Sequence, residues 1–346
     1  MTETLLHDFD ISRIWEHYRP TRLIELPPLA KQTGVGRVFA KLENERPLGN
    51  FKSLGGVVAG LRALARAVGA ATPFELRSRF IRSGSLPRLV CASDGNHGLA
   101  VAAAARWAGT TATIYLPASV SRFRVDRIKA LCGVVVAVDG RYDAAVRQAA
   151  MAAADGLGIL IPDTTAEPDD IVVADVMAGY AVITRELATQ FEQAKAQPSH
   201  LFVQAGVGGL AAALADGMQA LMRQPRRILV VEPDRAACVA RALDAGHPVS
   251  ISGDLETVAE MLSCGTASAP ALAILQRHQA RSILVEEDRL QHAVDALRRA
   301  DGPETTASGA AGLAGFLKAA TDDELRALHG LDSDSDVLLV VTEGPD

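Results

Sequence analysis

The chain reads as an α/β protein in which two parallel-sheet layers share a cleft, and three observations predict this. Short β-branched runs alternate with alanine-rich helical stretches almost to the C-terminus. The strand segments are continuously apolar rather than alternating, which is the pattern of strands covered by helices on both faces. There are also more of them than one compact sheet comfortably holds.

In chain order, Leu89, Val90, Cys91 and Ala92 predict a strand, with a helix over about 98–107 behind it. Strands over 111–116, 134–138 and 158–161 follow, with helices over about 121–131, 143–155 and 171–193 after them in turn. The strand 200–204 runs into a helix that starts near Gly209, and strands over 227–232 and 336–341 complete the series. Residues 70–88, with Pro73, Gly84 and Pro87 among several arginines and serines, read as a surface excursion. Residues 332–336 read as a polar turn, and no internal repeat or low-complexity linker interrupts the pattern.

At 346 residues the length suits two domains, or one large α/β domain, at roughly 100–200 residues per domain. A hydrophobic fraction of 49% supplies a sizeable core and excludes disorder as a description of the whole. A net charge of −6 leaves no basic excess to neutralise phosphates, so neither nucleic acid nor an anionic membrane is expected as a partner. The four cysteines, Cys91, Cys132, Cys238 and Cys264, are far apart, lack zinc-ligand spacing and read as buried free thiols, with no metal expected. The acidic N-terminus lacks the pattern of a signal peptide, and no apolar run reaches the roughly 20 residues of a spanning helix. A cytoplasmic, reducing location is expected.

Three segments carry chemistry. Gly206, Val207, Gly208 and Gly209, then Leu210 and Ala211, follow a strand and open a helix. Their backbone N–H groups and the positive helix end would cradle a phosphate. As G-x-G-x-x-A, with Glu232 closing the next strand, the loop also fits a dinucleotide fingerprint and an NAD-dependent oxidoreductase; a tight turn without a ligand is the bland alternative. Lys52 stands between Phe51 and the Leu54, Gly55, Gly56 run, which suggests close packing rather than a solvated surface charge. A partly desolvated lysine can form a Schiff base with a carbonyl, so phosphate cradle and lysine together suit an aldehyde-bearing phosphorylated cofactor. Ser93, Asp94, Gly95, Asn96, His97 and Gly98 lie between a strand and a helix. They would serve as a turn and N-cap, but that does not explain an acid, an amide and an imidazole clustered beside two glycines.

Segments 50–56, 93–98 and 205–209, with Thr342, Glu343 and Gly344, occur in that order. Together they resemble the landmarks of the pyridoxal-phosphate enzymes of the tryptophan synthase β-like fold, fold type II. Within that group the chain is most similar to the diaminopropionate ammonia-lyases, from about 20 to 344. Segments 161–164, 231–234 and 308–313 look similar too.

The resemblance implies two three-layer α/β/α domains with the active site in the cleft between them: a large pyridoxal-phosphate-binding domain of residues 1–61 and 183–346, and a small mobile domain of 62–182. It implies that Lys52 holds the cofactor aldehyde, Asn96 bonds the pyridine 3-oxygen, the backbone of Gly206, Val207, Gly208 and Gly209 binds the phosphate, and Thr342 faces the pyridine nitrogen. Ser93, Asp94 and His97 would meet the substrate carboxylate. Asp94 stands where dehydratases of the fold commonly carry serine, and a carboxylate there is a competent base for a Cα proton. Asp163 looks like the second aspartate of the lyases, also a base; a strand-end cap is its bland alternative. The implied activity is that of a homodimeric carbon–nitrogen lyase acting on a small amino acid, with 2,3-diaminopropionate giving pyruvate and ammonia. A β-replacement synthase or a serine/threonine dehydratase-type lyase would use the same residues, whereas a non-catalytic binding protein would not need the lysine. The chain departs from the lyase pattern over 165–170 and 266–268 and at Ala307.

Overall fold

The structure is a computed structural model that describes residues 9–83, 85–93, 95–131 and 133–345. Ten strands, in chain order β1 (Leu23–Glu25), β2 (Arg37–Leu42), β3 (Leu89–Ala92), β4 (Ala112–Pro117), β5 (Gly133–Val138), β6 (Ile159–Leu160), β7 (His200–Gln204), β8 (Arg227–Pro233), β9 (Arg281–Val285) and β10 (Asp336–Val341), form two sheets among the described residues. The first has the order β1-β2-β10-β7-β8-β9 and the second β5-β4-β3-β6. All neighbours run parallel except β1, which pairs antiparallel with β2. The expected two-sheet α/β architecture is therefore present, and each expected strand lies within a residue or two of its place. The four-stranded sheet comes wholly from 89–160, and the six-stranded sheet from 23–42 and 200–341.

Strand alternation distributes the core. Leu338 and Val340 of β10 face one cluster, while Val337, Leu339 and Val341 face another on the opposite side of the sheet. In β3, Leu89 and Cys91 join the first cluster and Val90 and Ala92 a third. The first cluster thus runs from one sheet to the other through the helices Lys52–Val68, Asn96–Ala108 and Ile171–Ala194. Two of these helices touch backbone to backbone: a Cβ on Gly55 would stand 2.6 Å from the Val176 carbonyl oxygen, and one on Gly179 2.7 Å from the Gly55 Cα. The expected domain limits at 61/62 and 182/183 fall inside these two helices, which are continuous.

Three strands, β1, β2 and β9, were not expected. The β2 run is interrupted by Lys41, which is fully buried, so it does not read as a core strand. The excursion at 70–88 is largely a helix, Pro73–Ser83, with Phe74 and Ile81 exposed. Cys91 and Cys238 are buried thiols as expected, Cys264 is partly exposed instead, and Cys132 lies outside the described residues. No single described helix is long and apolar enough to cross a membrane.

Lys41 belongs to a closed, charge-balanced cluster. Its Nζ donates to Glu186 Oε2 (2.6 Å), the Thr21 carbonyl (2.8 Å) and Gln190 Oε1 (2.9 Å), one acceptor for each ammonium proton. Arg46 forks between Glu43 (Nε to Oε2, 2.7 Å) and Glu186 (Nη1 to Oε1, 2.7 Å), and Tyr18 donates to Glu186 as well. Glu186 thus serves both cations. Glu186→Gln keeps the volume and leaves two buried cations with one carboxylate, so urea unfolding should show a loss of about 3–5 kcal/mol. Breaking an exposed pair such as Arg289–Glu286 should cost about 0–1 kcal/mol. Equal losses would mean that the cluster is hydrated.

Candidate active site

One cleft gathers residues from both sheets, with about 890 Å³ of space up to its open mouth. Phe51 and Lys52 enter it at the start of the helix Lys52–Val68, and Asp163 enters just beyond the end of β6. The 206–209 loop lines it after β7, and Thr342 and Glu343 line it after β10. Ligand sites in parallel sheets lie at the carboxyl ends of the strands, where Asp163, the 206–209 loop and the Thr342–Glu343 segment leave theirs.

Lys52 Nζ and Asp163 Oδ2 are 2.6 Å apart, and the Tyr142 hydroxyl donates to Asp163 Oδ1 at 2.8 Å. Burial opposes both charges, but mutual attraction outweighs it: Lys52 is held above the ordinary lysine range and Asp163 well below the ordinary carboxylate range. Among the described residues both Asp163 oxygens are taken by side chains and no backbone amide donates to them. Asn96 donates to Glu343 and accepts from Asn50 Nδ2 (3.1 Å), which leaves one amide proton uncommitted. Glu343 also accepts from the Thr306 hydroxyl (2.5 Å). Thr342 Oγ1 accepts from Gln204 Nε2 (2.9 Å), so its own proton can be donated elsewhere.

The remaining expected residues are also at the cleft, apart from Asp94, which lies outside the described residues. Ser93 Oγ accepts from the amides of Gly95 (2.9 Å) and Gly98 (2.8 Å) and so shapes the turn into the helix. His97 Nε2 meets the Ile161 carbonyl at 2.8 Å, and burial pushes its imidazole down, so the ring is neutral and ties the loop to the end of β6. Glu232, the acid of the dinucleotide alternative, is spent differently. Its carboxylate oxygens accept the amides of Val239 and Ala240 (2.7 Å each), which caps the helix Cys238–Ala245 and leaves no free geometry for a ribose. Tyr142 carried no signal in the sequence, since a lone tyrosine at a helix start fits no motif. Glu343 lies in the 342–344 segment, and contacts with Asn96 and Thr306, distant in sequence, bring it into the site.

The cradle passes a direct test of fit to a phosphorylated ligand. Gly208 takes φ +97°, a left-handed conformation in which a side chain would be strained, and so turns the loop into the nine-residue helix Gly209–Gly217. A Cβ on Gly209 would find its nearest atoms, on Met177 and Tyr180, 3.8 Å away, so an anion can approach the helix end. With the lysine in the same cleft, the residues present suit a ligand that carries both an aldehyde and a phosphate, which defines a pyridoxal-phosphate enzyme of fold type II. The pyridoxal-phosphate-dependent enzyme family matches residues 14–343, and the chain belongs to it; its cofactor is pyridoxal 5′-phosphate. It is 31% identical to the diaminopropionate ammonia-lyase of Escherichia coli K12 over 341 residues, 94% of this chain and 85% of that one. The crystal structure of the holo form of diaminopropionate ammonia lyase from Escherichia coli superimposes with a TM-score of 0.86 at 28% identity, covering 98% of this chain and 88% of that one. The same lyase in complex with an aminoacrylate-PLP azomethine reaction intermediate gives a TM-score of 0.85, with the same identity and coverage.

The ion pair makes the cofactor-free protein pH-sensitive on both sides. Asp163, depressed by folding, contributes stability that is full above the ordinary aspartate pKa of about 3.9 and is lost as pH falls through the depressed value. Lys52, raised by folding, contributes below about 10.4 and loses it as pH rises through the raised value. Urea unfolding of wild type and Asp163→Asn should therefore differ by a constant amount between about pH 5 and 9, with the gap closing outside that window. A gap that persists to the acid limit of folding would show that Asp163 is not ionised by the lysine.

Proposed function

We propose that the protein is an ammonia-lyase that carries out α,β-elimination on 2,3-diaminopropionate, yielding pyruvate and two molecules of ammonia. The observation that carries this reading is the Lys52–Asp163 contact, an amine and a carboxylate side by side in a cleft with a phosphate cradle. The similarity to the diaminopropionate ammonia-lyases supports the choice of substrate.

In this reading Lys52 holds the cofactor through its aldehyde carbon and gives it up to the substrate amine. The amides of 206–209 hold the phosphate, the free amide proton of Asn96 meets the ring oxygen, and Thr342 offers its hydroxyl to the ring nitrogen. Pyridoxal 5′-phosphate supplies, when bound, the conjugated ring that accepts the electron pair left at Cα. Asp163 takes the Cα proton of the L enantiomer and Asp94 that of the D enantiomer, because a base reaches only a proton on its own face. Ser93 shapes the loop that receives the carboxylate, and His97 anchors it.

The segments that depart from the lyase pattern adjoin the cradle: Ser268 N donates to the Val207 carbonyl (2.9 Å), and Ala269 N to the Thr165 carbonyl (2.9 Å). They are where a different amino acid would be selected, so β-replacement and dehydratase chemistry are outcomes of the same assay. We further propose that the body built on the four-stranded sheet, within residues 62–182, moves to close the cleft on substrate while the Gly55–Gly179 crossing stays in place, and that the protein is a cytoplasmic homodimer.

Purified protein should be yellow, borohydride should fix the cofactor on the peptide containing Lys52, and Lys52→Ala should lose turnover while keeping its fold. An active, colourless protein without cofactor would overturn this. With both enantiomers of diaminopropionate assayed for ammonia and pyruvate, Asp163→Asn should lose on the order of 10²–10⁴ in rate on the L form, and Asp94→Asn a similar factor on the D form. Equal losses on both forms would make the two acids shared binding groups. Crystals with and without substrate should differ by a displacement of the four-stranded-sheet body relative to the rest; identical domain geometry would remove the closure.

A further inference from the structure

Asp163 has a second partner that the reading above leaves without a role. Its Oδ2 meets Lys52 Nζ at 2.6 Å, and its Oδ1 accepts from the Tyr142 hydroxyl at 2.8 Å. The titratable groups that bear on Asp163 among the described residues are Lys52, His97, Tyr142, Tyr180 and Cys91. His97 is neutral because burial pushes its imidazole down; burial also pushes the Tyr180 phenol up to about 12 and the Cys91 thiol well above its ordinary range. Lys52 is thus the one charged neighbour among these groups, and its nitrogen is the atom that the cofactor takes up. Once it is so engaged, Tyr142 is the side chain still donating to the carboxylate.

The position of Tyr142 is itself set across the cleft mouth. It is the first residue of the helix Tyr142–Ala154 and lines both the catalytic cleft and a wider cavity that opens beside it. That cavity is lined by residues between 117 and 124 and by 140–143, and from another stretch of the chain mainly by residues between 254 and 265. Contacts join the two stretches: Arg124 Nη1 meets Glu260 Oε2 at 2.9 Å, and Arg141 Nη1 donates to the carbonyl of Gly253, next to the lining residue Asp254. Arg141 immediately precedes Tyr142, so the chain that carries the phenol is pinned to the second stretch one residue away.

We propose that Tyr142 is a positioning residue for Asp163, whose carboxylate it holds ionised and aimed once Lys52 is engaged, and that the Arg141–Gly253 contact across the mouth keeps Tyr142 in place. This rests on the reading of Asp163 as the base for the L enantiomer. It also makes an open mouth a state in which that base is less well set.

The test uses the holoenzyme and two mild variants. Tyr142→Phe removes one hydroxyl and keeps the ring, and Arg141→Ala is a surface change. Carboxyl-carbon NMR of Asp163, assigned by the signal missing in Asp163→Asn, should show its midpoint moved up by roughly one pH unit in Tyr142→Phe, since a hydrogen bond to a charged group is worth about one to two such units. Arg141→Ala should move it the same way by less. In Tyr142→Phe, kcat on L-diaminopropionate should fall on the order of 10-fold more than kcat on the D form, with KM little changed and the acid limb of the L profile moved up. An Asp163 that titrates identically in wild type and Tyr142→Phe overturns the proposal. If wild type turns over neither enantiomer, the choice of substrate fails, and the NMR titration still decides the role of Tyr142. If Asp163 shifts but both enantiomers suffer equally, the Tyr142–Asp163 coupling stands and the assignment of Asp163 to the L form falls.

Discussion

The geometry of the cleft depends on how closely two helices can pass. Lys52–Val68 and Ile171–Ala194 meet at Gly55 and Gly179, where a side chain on either residue would collide with the other helix's backbone. Glycine inside a helix costs about 1 kcal/mol relative to alanine, so two of them at one crossing are retained for the approach they permit. Gly55 lies three residues after Lys52, on the same side of the helix, and Gly179 precedes Tyr180, whose ring packs against Phe51 with centroids 5.1 Å apart. Forcing the helices apart would carry the lysine away from the cleft wall that holds Met177 and Tyr180.

The chain leading into Lys52 is fixed by charge as well as by the apolar packing of Leu42, Leu48 and Phe51. β2 ends at Leu42, and Glu43 and Arg46 then enter the buried cluster with Lys41 and Glu186. Four residues after Arg46, Asn50 bridges to Glu343 beyond β10 and bonds Asn96 of the 93–98 loop. Glu186 sits on the same helix as Gly179, so one helix supplies both the close crossing and the counter-ion. Ionic groups so deeply buried need full pairing, and the fork of Arg46 and the three acceptors of Lys41 supply it.

The same cluster explains what was and was not legible in the sequence. The strands β3 to β8 and β10 are apolar runs bounded by turns, and pattern alone places them. β2 is as central as β10, with which it pairs in register over six residues, but its Arg37 and Lys41 break the run. Only the tertiary partner on a helix 145 residues away makes a buried lysine tolerable, and no local pattern reports it. The site divides in the same way. Glycine loops and the lysine announce themselves because their backbone and chemistry are local, whereas Tyr142 is tied to the site by a contact with Asp163, 21 residues on, that no local pattern reports.

Strand register decides which side chain stands where β10 runs out into the cleft. Thr342 and Glu343 are adjacent, and where β10 ends their side chains take different partners: Thr342 meets Gln204, and Glu343 meets Asn96 and Thr306. Register here is held by the pairing of Val341 with Leu42 and by the Asn50–Glu343 bridge. A slip of one residue would exchange every side chain between faces and bring a carboxylate to the place of the hydroxyl. In the proposed reading, a carboxylate at that place would hold a pyridine nitrogen protonated and widen the range of carbanion chemistry, whereas the Thr342 hydroxyl, which accepts from Gln204, keeps its proton to donate as a neutral partner. On that reading the limit on reaction type follows from the register of β10 rather than from any contact with substrate.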